Sequence, residues 1–272
     1  MNSPQPPPAR ALFGYDGELF HPSEFTRGPW RPDAQHGGPP AALLAYVAEP
    51  EVGEDEFLAQ LHVELIRPVR LVPLRASVER HRVSGRVSKV QAQLHDGEEV
   101  VAQATALVLA TTDLPAPEWS PEPAPAVSPP PADATVDPPR WASGDVTTYH
   151  RNAVEHRFTR GTFREAGPAV DWMRLRLGLV DGSTPSGLQR VVAAADFGSG
   201  ISAVYGATSP IGLINATLTI SLIREHRGEW VSLDAITHVG PQGTGVGVTH
   251  LGDVDGLVGV ATQSLLGYSL DR

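Results

Sequence analysis

Cysteine is absent from the 272 residues of this chain. Disulfide bridges, thiolate metal sites and cysteine nucleophiles are therefore excluded together. No apolar run approaches the roughly 18 residues that a membrane-spanning helix needs. The first ten residues are polar and rich in proline, without the apolar stretch of a signal peptide. These absences predict a soluble cytoplasmic protein that does not act on a membrane.

Positive charge is also scarce, with 21 basic against 31 acidic residues and a formal net charge of −10. Binding to nucleic acid phosphates requires a broad basic face, so nucleic acid is not an expected partner. The ten histidines show no spacing typical of metal ligands, and we expect neither a metal nor another cofactor. Hydrophobic residues make up 41% of the chain, which is enough to bury a sizeable core.

Proline is concentrated in residues 113–140, where it occupies ten of twenty-eight positions. Such a segment cannot form a central strand or the interior of a helix, so we expect an extended connector. The chain on either side of it is similar: AQLHVELIR at 59–67 is matched 157 residues later by ATLTISLIR at 216–224. An Asp-Gly pair and an apolar strand follow in both halves. This long period indicates a duplicated domain. We predict one domain over 1–112, a linker over 113–140 and a second domain over 141–272.

One helix signal precedes the strands of each half. In the first half it is GGPPAALLAYV at 37–47, where the prolines suit a first turn and the alanines a helix interior. In the second half it is SGLQRVVAAAD at 186–196, with Ser183 or Ser186 as the N-cap. Both runs are mostly small and apolar, which is typical of a buried helix.

Four strand-like runs follow each helix, and shorter ones precede it. The runs are 57–68, 72–83, 87–95 and 99–110 in the first half, 214–224, 229–239, 243–251 and 257–267 in the second, and short runs near 12–22 and 155–177. This order predicts an α+β protein in which a long antiparallel sheet wraps one buried helix, twice over.

A buried helix in a curled sheet is the hotdog fold, and five motifs in order resemble the acyl-CoA thioesterase II family. They are HGGPPAALLA at 36–45, the strand end LIRP at 65–68, AAADFG at 193–198, GEW at 228–230 and DGLVGVATQ at 255–263. The resemblance implies two fused hotdog domains, each a long buried helix wrapped by a curled antiparallel sheet. It also implies hydrolysis of fatty acyl-CoA thioesters without a metal or a covalent intermediate.

The family it resembles holds its attacking water with an Asp, a Thr or Ser, and a Gln, all in the second hotdog. Asp196 matches the Asp at the end of the helix, and Gln263 matches the Gln of the last strand. Gapless matching places Asn215 where the family has its hydroxyl, which is a departure. Thr217 and Thr219 are expected to share the face of Asn215, because side chains alternate along a strand.

The expected chemistry is water attack on the thioester carbonyl. Burial of Asp196 is expected to raise its pKa and improve it as a base. The backbone N–H groups of Gly37 and Gly38, at a helix start, suit the developing negative charge on the carbonyl oxygen. His36 beside them is expected to donate a further hydrogen bond to the substrate.

Basic residues are clustered between Arg67 and Lys89, where there is only one acid, Glu79. The cluster consists of Arg67, Arg70, Arg75, Arg80, Arg82, Arg86 and Lys89. Arginine binds phosphate oxygens with two parallel hydrogen bonds. This cluster is therefore a candidate site for the phosphates of coenzyme A, with Arg67 and Arg70 as the main candidates. A solvated strand face explains it equally well.

Other functions are less consistent with the sequence. Gly-x-Ser-x-Gly is absent, and the glycines at 243–247 lie between strands and do not open a helix, so neither a serine hydrolase nor a dinucleotide-binding enzyme is indicated. A hotdog-fold enoyl-CoA hydratase would carry a histidine shortly after the helix Asp, and none follows Asp196. A non-catalytic acyl-CoA or acyl-carrier binding protein remains an alternative. The resemblance implies a role in fatty acid metabolism. A homo-oligomer is also expected, because fused hotdogs still present sheet edges and surfaces that favour pairing.

Overall fold

The computed structural model describes residues 11–115, 118, 146–206 and 209–269, so almost all of the predicted linker lies outside the described residues. The first half contains β1 (Ala11–Tyr15), β2 (Phe20–Pro22), α1 (Gly38–Ala48), β3 (Glu56–Leu65), β4 (Arg75–Arg82), β5 (Val87–Asp96) and β6 (Glu99–Ala110). The second half contains β7 (Val154–Arg160), β8 (Ala169–Leu175), β9 (Gly178–Val180), α2 (Gly187–Ala195), α3 (Gly198–Ile201), β10 (Ile211–Leu222), β11 (Trp230–Val239), β12 (Thr244–Asp253) and β13 (Gly256–Ser269). The predicted strands are confirmed, whereas the domain boundaries stay a prediction.

Ten strands form one continuous sheet in the order β4-β5-β6-β3-β10-β13-β12-β11-β8-β7. Every pairing in it is antiparallel, and β3 of the first half pairs with β10 of the second, with Val63 opposite Leu218. A smaller sheet has the order β2-β1-β9 and joins β1 to β9 of the other half in parallel. The strands that follow α1 and α2 therefore occupy equivalent positions at the centre of the large sheet.

Both central strands carry the same irregularity. The pairing of β3 with β6 shifts between Leu58 and Gln60, and the pairing of β10 with β13 shifts between Asn215 and Thr217. Position 215 lies 157 residues after 58, which is also the separation of the repeated sequence motif. A bulge inserts one extra residue into one strand. The side chains after it therefore point to the opposite face of the sheet from the one that simple alternation predicts. Its recurrence gives structural support to a duplicated unit.

The two main helices are buried for the reasons that their sequences indicate. α1 has Pro39 in its first turn, where the missing N–H costs nothing, and most of its residues are buried on all sides. α2 begins at a capping box, in which Ser186 and Gln189 satisfy each other's backbone N–H. α2 has nine residues and is shorter than the long helix expected, because the chain turns at Asp196 and restarts as the four-residue α3.

α1 and α2 lie side by side and run in opposite directions within the common hydrophobic core. Glu49, at the end of α1, accepts hydrogen bonds from Ser186 Oγ (2.9 Å) and Gln189 Nε2 (2.7 Å) at the start of α2. The same antiparallel arrangement brings the end of α2, with Asp196, to the start of α1. Within the described ranges, no helix is both long enough and apolar enough to cross a bilayer.

Candidate active site

Asp196 lies at the junction of α2 and α3, and its side chain is only 4% exposed. One carboxylate oxygen, Oδ1, accepts a hydrogen bond from Asn215 Nδ2 at 2.8 Å. The other, Oδ2, lies 2.9 Å from Nδ1 of His36. The backbone N–H of Gly38, in the first turn of α1, also donates to the carboxylate. Residues from both halves of the chain therefore converge on one buried acid.

The ring of His36 has a defined orientation. The N–H of Gly38 is directed at Nδ1 from 3.3 Å, but Nδ1 is closer to the carboxylate of Asp196 (2.9 Å), so we assign a proton to Nδ1, which donates a hydrogen bond to the carboxylate. The ring contacts the aromatic rings of Phe197 and Tyr149, with centroids 4.7 and 5.2 Å away, and these two rings also stack on each other with centroids 5.6 Å apart. Tyr149 is itself held by its hydroxyl, which donates to the carbonyl of Ala193 at 3.1 Å. Nδ1 is therefore bound to Asp196, and the hydrogen bond from His36 to a substrate stays a prediction.

Two glycines make this contact possible. A Cβ on Gly37 would lie 2.8 Å from both carboxylate oxygens of Asp196, and a Cβ on Gly38 would lie 2.8 Å from the carbonyl oxygen of Ala193. Both distances are shorter than a normal van der Waals contact. The sequence predicted that these glycines allow a close approach, and the groups that approach are Asp196 and the backbone of α2.

The pKa of Asp196 is lowered, and the expectation that it is raised is wrong. Burial is the largest single influence and does raise the pKa, as expected. The hydrogen bond of His36, its charge when the ring is protonated, the amide of Asn215 and the N–H of Gly38 together outweigh it. The start of α1 adds its positive dipole end to the same side. The carboxylate is therefore held in its ionised form.

Thr217 does not share a face with Asn215, and the expectation that Thr217 and Thr219 do so is wrong. Asn215 lies opposite Leu265 and Thr217 lies opposite Ser264, and consecutive residues of β13 point to opposite faces. The bulge between them causes the reversal. Thr219 accordingly contacts His62 on the outer face, at 2.8 Å. Of the candidate residues on β10, only Asn215 reaches Asp196.

Gln263 is almost fully buried, directly beside the junction of α2 and α3. Its Oε1 accepts a hydrogen bond from the N–H of Ser199 at 2.8 Å, and its Nε2 donates to the backbone carbonyl of Asp196 at 3.0 Å. The side chain thus holds the main chain of the residue that carries the carboxylate. It makes no hydrogen bond to the carboxylate itself.

The start of α1 has fewer free donors than the sequence suggested. The N–H of Gly38 is occupied by Nδ1 of His36 and the carboxylate of Asp196. Pro39 and Pro40 have no N–H, and the N–H of Ala41 bonds to the carbonyl of Gly37. Within the described residues, the N–H of Gly37 makes no hydrogen bond and is the donor left for a carbonyl oxygen.

A second buried pair, His156 and Asp171, lies on the far side of Phe197. Nδ1 of His156 is 2.5 Å from the carboxylate of Asp171, and its ring packs edge-on against Phe197 with centroids 4.8 Å apart. Burial raises the pKa of the Asp171 carboxyl. The sequence analysis missed this pair, and no motif would have found it, because β7 and β8 carry no repeated spacing that fixes their register.

Four of the seven residues of the basic cluster form ion pairs with acids that are distant in sequence. The ion pairs are Arg67–Glu99 (3.7 Å), Arg70–Asp96 (2.7 Å), Arg75–Glu18 (3.3 Å) and Arg80–Glu56 (2.6 Å). Counting acids along the segment alone gave a misleading picture of its charge. Arg70 does lie beside the loop that leads to His36, because Gln35 Nε2 donates to its carbonyl at 3.0 Å. In the described part of the chain, no three His, Asp or Glu side chains converge as metal ligands.

Comparison with known proteins gives a consistent family. The model of the acyl-CoA thioesterase N-terminal domain matches residues 26–109, and the model of the acyl-CoA thioesterase C-terminal domain matches residues 121–266. No curated protein sequence matches the chain.

Solved structures share the fold at low sequence identity. A conserved protein of unknown function with a hot dog fold from Alicyclobacillus acidocaldarius is 18% identical, with a TM-score of 0.71 over 94% of this chain and 96% of that one. An acyl-CoA thioesterase II from Mycobacterium marinum is 16% identical, with a TM-score of 0.63 over 93% of each chain. The predicted α+β double hotdog and the predicted family resemblance are both confirmed.

Proposed function

The chain belongs to the acyl-CoA thioesterase family, and on that premise we propose that it hydrolyses acyl-CoA thioesters to a free acid and coenzyme A, with the water activated at Asp196. The observation that carries the proposal is the convergence of His36, Asn215 and the N–H of Gly38 on the buried carboxylate of Asp196. Removing a carboxylate from water costs free energy, so a buried anion with three donors contributes little to stability. A functional role explains this arrangement better than a structural one.

Hydrolysis of a thioester needs an oriented water, an acceptor for its proton and a donor for the carbonyl oxygen. Asp196 and its partners supply a fixed negative centre that attracts and orients the water. We assign the free N–H of Gly37 as the donor to the oxygen on which negative charge develops, because it makes no hydrogen bond within the described residues. Gln263 serves the reaction indirectly, because it fixes the main chain at Asp196.

For the coenzyme A portion of the substrate, Arg70 is the candidate with the best position. Its backbone is paired with the loop that leads to His36, and its guanidinium is exposed and bound to Asp96 at 2.7 Å. A phosphate group can compete for such an exposed guanidinium, because exposed ion pairs contribute little energy. Arg67 is further along the same edge and pairs only loosely with Glu99. We propose both as phosphate contacts.

One observation favours a second candidate, hydration of an enoyl-CoA. A hotdog hydratase combines an acid and a histidine, and this chain supplies the histidine from the other half, as His36. Addition of water to a carbon–carbon double bond would use the same oriented water but would leave the thioester intact. The motif order favours hydrolysis.

The test is incubation of the purified chain with saturated and 2-enoyl-CoA substrates of several chain lengths, with a thiol reagent present to detect free coenzyme A. Release from the saturated substrates supports the proposal. Loss of the enoyl absorbance without thiol release would favour the hydratase, and binding without either reaction would favour a carrier. We also propose a role in cytoplasmic fatty acid metabolism. We further propose a homo-oligomeric assembly, and light scattering of the same sample measures its molar mass.

A further inference from the structure

We infer that Nε2 of His36 takes the proton of the attacking water, and that Asp196 acts as the positioning residue that holds the imidazole. The inference rests on the proposed thioester hydrolysis and names the atom that performs its proton transfer. It reverses the simpler assignment, in which the carboxylate of Asp196 is itself the base.

The contact between the two side chains is direct and protected from water. Nδ1 of His36 lies 2.9 Å from Oδ2 of Asp196, and the side chains are 11% and 4% exposed. A carboxylate that accepts the Nδ1 proton fixes the tautomer in which Nε2 is free to accept a proton. The pair therefore has the connectivity of a carboxylate–imidazole base.

Asp196 is poorly suited to accept the proton itself. Its two oxygens already accept from His36 and Asn215, and the N–H of Gly38 adds a third donor. These bonds stabilise the ionised form and lower the pKa of the carboxyl, which weakens it as a base.

Nε2 of His36, in contrast, is available. It makes no hydrogen bond within the described residues, and it is not among their fully buried polar atoms without a partner. Nε2 of His156, the comparable atom of the neighbouring His–Asp pair, is fully buried and without a partner. The ring of His36 packs into a cluster with Phe197 and Tyr149, which also stack on each other, and together with the contact of Nδ1 to Asp196 this packing fixes the direction of the free nitrogen.

The other end of the α1–α2 pair, at Glu49, lacks the histidine–carboxylate pair that is found at Asp196. Glu49 follows α1 as Asp196 follows α2, but its carboxylate is bound by Ser186 and Gln189, without a histidine. By the 157-residue repeat, Leu58 stands in place of Asn215. The strand register likewise places Ala106 in place of Gln263. A cavity of about 590 Å³ beside Glu49 makes that end accessible. An acid at a helix end is therefore present at both ends, and the imidazole at only one.

The step balances as follows. As the water oxygen forms its bond to the thioester carbon, one O–H proton passes to Nε2 and the carbonyl π electrons move to the oxygen, near the N–H of Gly37. The C=O bond then re-forms and the C–S bond breaks. The thiolate takes the proton from Nε2, which restores the neutral imidazole and gives the acid and coenzyme A.

Several titratable groups surround His36. Asp196 faces Nδ1, the hydroxyl-bearing ring of Tyr149 packs on one side, and His150 lies close enough to interact with it electrostatically. Burial raises the pKa of Tyr149 further above its ordinary value and lowers the pKa of His150 to about 3, so both stay neutral over the useful pH range. His156 lies beyond Phe197.

The decisive variant is His36→Asn, whose amide can still donate to Asp196 but has no atom at the position of Nε2. We expect kcat to fall by about 10²–10⁴ with little change in KM. The matched control is Glu49→Gln, which alters the acid at the other helix end and should keep kcat. In His36→Ala, added imidazole should restore part of the rate, whereas added acetate should not. The pH–rate profile of the wild type is measured alongside the variants, because a carboxyl base whose pKa is lowered would place the acid limb below its ordinary value of about 3.9.

Two results would overturn the inference while leaving the proposed function intact. One is a His36→Asn enzyme that keeps its kcat, and the other is a wild-type acid limb below about pH 4, as expected for a carboxylate base. The second measurement needs no variant and applies if the substitutions fail to fold. A wild-type protein that releases no coenzyme A from any acyl-CoA would overturn the proposed function, and this inference with it.

Discussion

Substitution of Asp196 by Asn tests the centre of the site, because it removes one charge and changes the shape very little. The carboxylate accepts from His36 Nδ1, from Asn215 Nδ2 and from the N–H of Gly38. An amide offers one oxygen and one NH₂, so at least one of these donors faces another donor. We expect kcat to fall by about a hundredfold or more, since general-base assistance contributes about 10²–10⁴.

The same substitution should lower stability. An unsatisfied buried donor costs about 1–3 kcal/mol. The lower part of that range is expected, because Asn215 can rotate its amide and offer its oxygen to the new NH₂ group. For a chain of this length, each kcal/mol corresponds to a shift in Tm of about 2–4 °C. The simple expectation that removing a buried charge leaves stability unchanged neglects these three hydrogen bonds.

The stability loss should depend on pH. Folding lowers the pKa of Asp196, so the folded state binds this proton less tightly than the unfolded state does. The stabilisation is then fully present above the ordinary pKa of about 3.9 and is lost as pH falls through the lowered folded value. The difference in unfolding free energy between the wild type and Asp196→Asn should therefore shrink below about pH 4.

The assay is release of coenzyme A, followed by a thiol reagent under saturating substrate, together with urea unfolding at pH 7 and at low pH. Glu49→Gln, at the equivalent helix end, is the control for removal of an acid. Undiminished kcat in a folded Asp196→Asn protein would refute the reasoning, because it would show that the carboxylate neither accepts the proton nor orients the group that does.

Three further substitutions separate the roles of the neighbouring residues. Gly37→Ala places a Cβ 2.8 Å from both carboxylate oxygens of Asp196 and should lower kcat by displacing them; an unchanged rate would mean that the carboxylate tolerates the shift. Asn215→Leu should lower kcat by removing a donor to the carboxylate, whereas Thr217→Val, on the outer face of the bulge, should stay within about twofold of the wild type; equal losses would contradict the assigned faces. Gln263→Ala should cost about 1–3 kcal/mol of stability, measured by urea unfolding, with a smaller loss of kcat than Asp196→Asn; a larger loss of kcat would give Gln263 a direct part in the reaction.

The sequence by itself determined the architecture. Period-two runs predicted the strands, small apolar runs beginning at Gly37 and Ser186 predicted the two buried helices, and the 157-residue repeat predicted the duplication. These signals are reliable because they are local: each depends on which side of a strand or helix becomes buried. Asp196 was identified differently, by its match to the Asp that ends the second buried helix in the family that the sequence resembles.

The tertiary structure alone decided the chemistry of the site. His36 and Asp196 are 160 positions apart, and only the antiparallel packing of α1 on α2 brings them to 2.9 Å. The bulge after Asn215 reversed the face of Thr217, and no residue type in that stretch of sequence signals a bulge. The pKa of Asp196 is lowered because donors from the start of α1 and from β10 converge on it. Periodicity describes one element at a time, whereas proton transfer depends on atoms that separate elements bring within hydrogen-bonding distance.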